Sequence, residues 1–340
     1  MRALALEAAQ AAGRPGLVLC HNVFDPERPK RIVLRKGRTL VAEDRDVLQL
    51  LDKTELHLLE LEPDDVDEDS AGERLASAAC GRGASPAGSA ESQVRIEATV
   101  RGLLKVDSTR LARVNAEDGV TVWTLENLTP VEAGRHVASA KIAPLAIERS
   151  ALERAESAAG DGVISVATYR DRATGVIVTE HMPVVARDRF ERGLRGKIEW
   201  FGATTPSVTY PAPDAGAAAA ALEAAESLGT ELVLVGGTGS TDPLDPMFEA
   251  VRMAGGKVLR RGVPAHPGST YWLASVRDMR VLGLASCGMF SQTTALDLLL
   301  PRFFAGETLD AASLTSLAVG GLIGKDRAYL FPQYGSADRD

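Results

Sequence analysis

The chain has 340 residues, a formal net charge of -8, 45% hydrophobic and 25% charged residues, a balance that excludes disordered and fibrous chains and, at this length, predicts about two domains. An acidic chain does not live on phosphate backbones, so nucleic acid is not an expected partner, and three scattered cysteines, Cys20, Cys80 and Cys287, make neither a disulfide framework nor a C-x-x-C zinc pair. The start, MRALALEAAQ, puts Glu7 and Gln10 where a secretory segment is apolar, and no stretch approaches the ~18 uncharged residues that cross a bilayer, which predicts a cytoplasmic protein with no membrane partner.

Residues 1–80 read as a small α/β unit. A basic turn, RIVLRKGRTL, leads into EDRDVLQLL, whose Val47, Leu48, Leu50 and Leu51 predict one apolar helical face, and then into LHLLELEP. The acidic run 60–73 reads either as a solvated approach to a helix or as a cation loop, and it lacks the Gly-centred spacing of calcium ligands. Residues 81–92, GRGASPAGSAES, carry no apolar period and predict a flexible linker. In 93–160, alternation over 94–106 and 120–128 and the stretch HVASAKIAPLAI predict a β-rich region. The helix ERSALERAESAAG then closes at Gly160, where a domain boundary is expected.

From 161 to 308, short β-branched runs alternate with amphipathic stretches, the pattern of a mostly parallel sheet with crossover helices. The predicted strands are VISVATY, GVIVT, PSVTY, ELVLV, KVLRR, YWLAS and MRVLGLA, and the predicted helices span 189–201, 214–228, 246–253 and 292–304. Gly229 stops the second helix, Asp245 and Pro246 start the third, and Gly255 with Gly256 ends it. Residues 309–340 are a C-terminal tail with no assigned role.

The sharpest local feature is GGTGSTDPLDP, residues 236–246, between a buried strand and a helix. Glycines there let backbone N–H groups approach an anion, and the helix terminus adds partial positive charge. A tight turn that needs glycine only for its dihedrals explains the same residues. No Gly-Lys-Ser/Thr ending exists, and Thr241 or Asp242 stands where a dinucleotide fingerprint has its third glycine. Asp242 and Asp245 either hold Mg²⁺ on a phosphate or cap the helix.

Residues 175–307 resemble the molybdopterin-binding domain shared by molybdenum-cofactor biosynthesis proteins of the MoaB/Mog type and the molybdopterin molybdenumtransferases. The resemblance is carried by VIVTEH (176–181), ARDRFERGLRGKIEWFG (186–202), LVLVGGTGS (232–240), GGKVLRRGVPAHPGS (255–269) and VLGLASCGMF (281–290). In the front half LRKGRTLVAEDRDVLQL, GLLKVDSTRLARVN and TPVEAGRHVASAKIAPLAI are similar to the pieces that precede this domain in the larger relatives.

The resemblance implies a three-layer αβα domain with a mostly parallel sheet, preceded by a smaller α/β and β-rich region, that holds molybdopterin near the sheet's carboxyl edge. Gly236, Gly237, Thr238, Gly239 and Ser240 match the family's glycine-rich loop, and Asp242 stands near its acidic position. Thr179, Pro267, Gly268, Ser286 and Cys287 fall at the other ligand-binding motifs. Three of those motifs depart from the family pattern. Thr179 is followed by Glu180, His181 and Met182 instead of Gly-Asp/Asn-Glu. Pro267 and Gly268 are followed by Ser269 and Thr270, so a lysine for phosphate or molybdate is missing. Leu284 is followed by Ala285, Ser286, Cys287 and Gly288 instead of Pro-Gly-Asn-Pro.

Glu180 reads as a replacement carboxylate for Mg²⁺ or as a surface ion pair, and His181 as a proton-transfer group. Cys287 reads as a metal-touching thiolate or a small buried hydrophobe. Arg260, Arg261 and His266 complement an anion or are solvated. The function implied is molybdenum-cofactor biosynthesis: binding of molybdopterin or its adenylylated form and assistance of metal insertion, with Asp242, Glu180 and His181 as catalytic candidates, Asp242 and Asp245 for Mg²⁺, molybdate as substrate, a candidate molybdoenzyme client and a homo-oligomer. A non-catalytic carrier or sensor of the cofactor, or an enzyme of this fold with a changed substrate, are the alternatives.

Overall fold

The computed structural model describes residues 1–90, 93–204, 206–238, 241–285, 293–324, 330–332 and 334. The chain divides into two compact units, the first comprising Met1–Val100, Lys105–Asn127 and Ala133–Val166, the second Arg101–Leu104, Leu128–Glu132 and the chain from Ala167 on. Among the described residues no helix is long and apolar enough to cross a membrane.

The first half of the chain runs through β1 (Arg2–Glu7), α1 (Ala8–Ala11), β2 (Val18–Leu19), β3 (Val23–Phe24), β4 (Ile32–Leu34), α2 (Arg45–Leu51), β5 (Glu55–Glu60), β6 (Asp65–Asp67) and α3 (Glu68–Ala79). It continues through β7 (Ala84–Ala90), β8 (Gln93–Ala98), β9 (Gly102–Val106), α4 (Ser108–Val114), β10 (Val120–Thr124), β11 (Pro130–Val131), β12 (His136–Ile142), β13 (Ala146–Glu148), α5 (Arg149–Ala159) and β14 (Ile164–Thr168). β5 lies between β1 and β2, and β10, β12, β8 and β7 form an antiparallel sheet in that order.

Two expectations for this unit are corrected. On α2, Leu48 and Leu51 are buried but Leu50 is 84% exposed, because it falls about 100° around the helix from Leu51. The stretch expected to be a flexible linker contains β7, whose Ala84 and Ser85 pair with Ala98 and Glu97 of β8. Small residues read as a linker in isolation, and the partner strand decides otherwise. In the acidic run, Asp67 accepts the Ser70 N–H as N-cap of α3, and Glu68 and Asp69 lie in the helix's first turn, where negative charge is favoured.

The second unit holds β15 (Thr174–Val178), α6 (Val184–Trp200), β16 (Ser207–Thr209), α7 (Ala215–Ser227), β17 (Leu232–Gly236), α8 (Pro246–Met253), β18 (Lys257–Arg261), β19 (Trp272–Val276), β20 (Met279–Leu284), α9 (Ala295–Phe304) and α10 (Ala311–Thr315). Six strands form one sheet in the order β16-β15-β17-β20-β19-β18. The expected mostly parallel sheet is mixed: β16, β15, β17 and β20 run parallel, whereas β19 pairs antiparallel with β20 and with β18. Only Arg277 and Asp278 separate β19 from β20, too few residues for a crossover.

Alternate residues of the central strands bury against different helices. Val176, Leu234 and Leu282 pack with Phe190, Leu194 and Ile198 of α6 and Leu296, Leu299 and Leu300 of α9. Ile177, Val233 and Val281 pack with Ala218 and Leu222 of α7 and Met247 and Val251 of α8. Burial on both faces is why the run from Leu232 to Val235 is apolar throughout. α6 begins five residues before the expected 189, leaving Val184 and Val185 71% and 80% exposed.

Candidate functional site at the carboxyl edge of the sheet

Register assembles the site. Gly236, the last residue of β17, pairs with Val178 of β15 on one side and Leu284 of β20 on the other, so the segments following all three strands leave the sheet side by side. Because β19 is antiparallel, with Trp272 opposite Gly283, the segment 262–271 that precedes it reaches the same edge. This is the edge where open α/β sheets take ligands.

Gly237 has φ +82°, and a side chain there would collide with Glu180 Cβ and lie 3.0 Å from Glu180 Oε2. Both the left-handed backbone and the approach of Glu180 therefore require glycine. The same approach changes the electrostatics of the turn. A unit negative charge 4 Å from the Glu180 carboxylate is opposed by about 4 kcal/mol at an effective dielectric of ~20. A phosphate on Gly237 would meet that carboxylate.

Thr238 is buried, and its Oγ1 donates to Asp245 Oδ2 at 2.6 Å. Asp245 Oδ1 accepts the Met247 N–H at 2.9 Å, which caps α8. Both oxygens of Asp245 are thus engaged by the fold. Asp242 is exposed, and its Oδ1 accepts the Leu244 N–H at 2.9 Å. Among the described residues no group of three or more His, Cys, Asp or Glu stands where it could hold a metal ion. These carboxylates do not fit a resident Mg²⁺. Thr179 is half-buried just after β15, and His181 is exposed. Gly239, Ser240, Ser286 and Cys287 lie outside the described residues.

Pro267 and Gly268 meet the start of α9. Gly268 has φ +115°, and a side chain on it would stand 2.8 Å from Ala295 Cβ. The Ala295 N–H donates to the Pro267 carbonyl at 2.9 Å. Thr294 N–H donates to Asp297 Oδ2 at 2.7 Å, and Leu296 N–H to Thr294 Oγ1 at 3.2 Å. Lys197 Nζ donates to the two oxygens of Asp297 at 2.7 and 2.9 Å, both side chains being buried. The N-terminus of α9 is therefore satisfied from within, and Lys197 is engaged by Asp297. Arg260 Nε donates to the Gly262 carbonyl at 2.9 Å, Arg261 lies 4.2 Å over the Phe248 ring, and His266 is exposed.

Two residues that sequence reasoning did not single out stand at the β16 side of this edge. Tyr210 OH donates to Glu191 Oε1 at 2.9 Å, and burial together with Glu191 pushes its phenol up to about 12. The Arg187 guanidinium lies 4.3 Å over the Tyr210 ring. Arg187 belongs to the ARDRF block, but nothing in the sequence signals its pairing with Tyr210.

At the opposite, amino edge a cavity of about 410 Å³ is lined by Arg172, Glu231, Met279 and Arg280 among others. Its arginines are committed. Arg172 donates to Glu231 and to the carbonyls of Phe303 and Glu307 at 2.8 and 3.0 Å. Arg280 Nε donates to the Leu309 carbonyl at 2.9 Å.

No protein-family model matches the chain, and no curated protein matches it. Among solved structures, it is similar to a molybdopterin biosynthesis MoeA protein from Pyrococcus horikosii, with 14% identity over 64% of this chain and 68% of that one and a TM-score of 0.31. It is also similar to a molybdopterin biosynthesis Mog protein from Mycobacterium ulcerans, at 15% identity, 39% of this chain, 94% of that one and a TM-score of 0.29. A third is a putative molybdenum cofactor biosynthesis protein from Corynebacterium diphtheriae, at 11% identity, 42% and 99% coverage and a TM-score of 0.26.

Proposed function

We propose that the second unit binds a phosphate-bearing pterin of the molybdopterin type at the carboxyl edge of its sheet, and that the protein works in the assembly or handling of the molybdenum cofactor. The observation that supports the reading is convergence. VIVTEH, the described part of LVLVGGTGS, the Pro267–Gly268 turn and the end of VLGLA are far apart in sequence and are brought to one edge by strand register. A close-approach glycine at Gly237 and a carboxylate at Glu180 meet there, and a carboxylate is a natural acceptor for the N–H donors of an aminopyrimidine ring.

A carrier or sensor of the cofactor is favoured over an insertion enzyme by one set of contacts. Asp245 and Lys197, the groups of the right charge for a metal or molybdate, are held by Thr238, Met247 and Asp297. Calorimetric titration of the full chain with molybdopterin and with its adenylylated form, followed by molybdate and Mg²⁺, tests both readings. The expected result is binding without AMP release. AMP release would make the protein an insertion enzyme, and no binding of either form would overturn the ligand assignment.

A further inference from the structure

The two flanks of the β15 terminus carry opposite charges. On the β17 flank, the Glu180 carboxylate lies against Gly237. On the β16 flank, the parallel pairing of Gly175 with Ser207, Val176 with Val208 and Ile177 with Thr209 places Tyr210 level with Val178, at the carboxyl edge. α6 begins at Val184, so Arg187 stands in its first turns at the same edge, over the Tyr210 ring.

This arginine is unspent. Its Nε is buried without a hydrogen-bond partner, and among the described residues no carboxylate reaches its guanidinium. The nearby Glu191 is committed through Oε1 to Tyr210 and through Oε2 to Arg195 at 3.3 Å. The first turn of α6 holds no acidic residue. Stacking on Tyr210 orders the guanidinium in advance, so a phosphate that docks on it loses little side-chain freedom and gains paired, charge-assisted hydrogen bonds. Neighbouring strands are about 4.8 Å apart, so the two flanks of β15 are separated by about 10 Å, a span that a bicyclic pterin with a phosphate-bearing side chain bridges.

We propose that Arg187, seated on Tyr210, is the phosphate-binding residue, and that the ligand lies across the end of β15 with its ring toward Glu180 and its phosphate toward Arg187. The inference rests on the pterin reading above and reverses the polarity that a phosphate on the glycine turn would give.

The test measures the affinity of the full-length protein for the air-oxidised, fluorescent pterin phosphate and for the same pterin after phosphatase treatment. The wild type is expected to prefer the phosphorylated form by roughly ten- to a hundredfold. Arg187→Gln should remove that preference while leaving the dephosphorylated form bound as before and the melting temperature close to that of the parent. Arg187→Lys should restore part of it. Glu180→Gln should weaken both forms alike.

Retention of the preference in Arg187→Gln would overturn the inference while leaving the pterin reading in place. So would a gain in phosphate preference in Glu180→Gln, which would put the phosphate beside the glycine turn. Failure of the wild type to bind either form would overturn the pterin reading and the inference with it.

Discussion

The two edges of the second unit's sheet solve the same problem differently. At the amino edge, Arg172 and Arg280 donate to the carbonyls of Phe303, Glu307 and Leu309 around the end of α9, and Glu231 neutralises Arg172. Cations at a helix C-terminus are a standard means of satisfying its last carbonyls. At the carboxyl edge the chain leaves one carboxylate against a glycine and one guanidinium on an aromatic ring. Among the described residues, a cavity lies at the first edge and uncommitted charge at the second. Empty volume lined by satisfied groups is architecture, whereas hydrogen-bonding capacity left unused is where a ligand adds something.

The contrast can be broken by substitution. The largest effect is expected for Lys197→Met, which leaves Asp297 as an unpaired buried charge behind the carboxyl edge and should cost about 3–5 kcal/mol in chemical denaturation. Adding Asp297→Leu should recover part of this loss, the remainder being the cap on the Thr294 N–H. Gly237→Ala comes next, at roughly 1–3 kcal/mol, because it combines a positive φ with the collision on Glu180. Combining it with Glu180→Gly, which removes the Cβ that the new methyl meets, should be less costly than the sum of the two changes, and a fully additive cycle would mean that the contact carries no energy.

Arg172→Ala at the amino edge is expected to cost about 1–3 kcal/mol of stability while leaving pterin affinity as it was. A loss of affinity there would invert the roles assigned to the two edges. The smallest effect concerns pH. The folded state raises the Tyr210 phenol from 10.0 to about 12, so the unfolded chain gives up its proton first. Its contribution is therefore complete below about pH 10 and is lost as pH rises toward 12. Alkaline denaturation of Tyr210→Phe should lack this component.

Much of the second unit is legible in its residues. KVLRR is β18 without change of bounds, and Pro246–Met253 is a helix where Asp245 and Pro246 announce one. The direction of β19 was also within reach, since two residues before β20 permit only a hairpin. The start of α6 was not, because Val184 and Val185 follow Pro183 without a side-chain cap and β-branched residues argue weakly against helix. β7 was hidden for the same kind of reason: its pairing belongs to β8, not to its own composition.

At the site, the glycine turn stands out in sequence, but the partner of Gly237 does not, since Glu180 reaches it only through the parallel pairing of β15 and β17. Arg187 and Tyr210 are joined by tertiary packing alone.

The second unit is not a contiguous stretch of chain. It takes Arg101–Leu104 and Leu128–Glu132 from within the first half of the sequence, pairs Gly102 with Val131 and Leu103 with Pro130, and lays Arg101 4.2 Å over Trp200. A fragment cloned from residue 167 onward would lack that ribbon and expose an indole that the full chain covers. On the ribosome, the ribbon emerges more than sixty residues before the indole it covers, so it must wait for later synthesis before it can dock. Dissection of the protein into expressible pieces should carry residues 101–132 along with the C-terminal half.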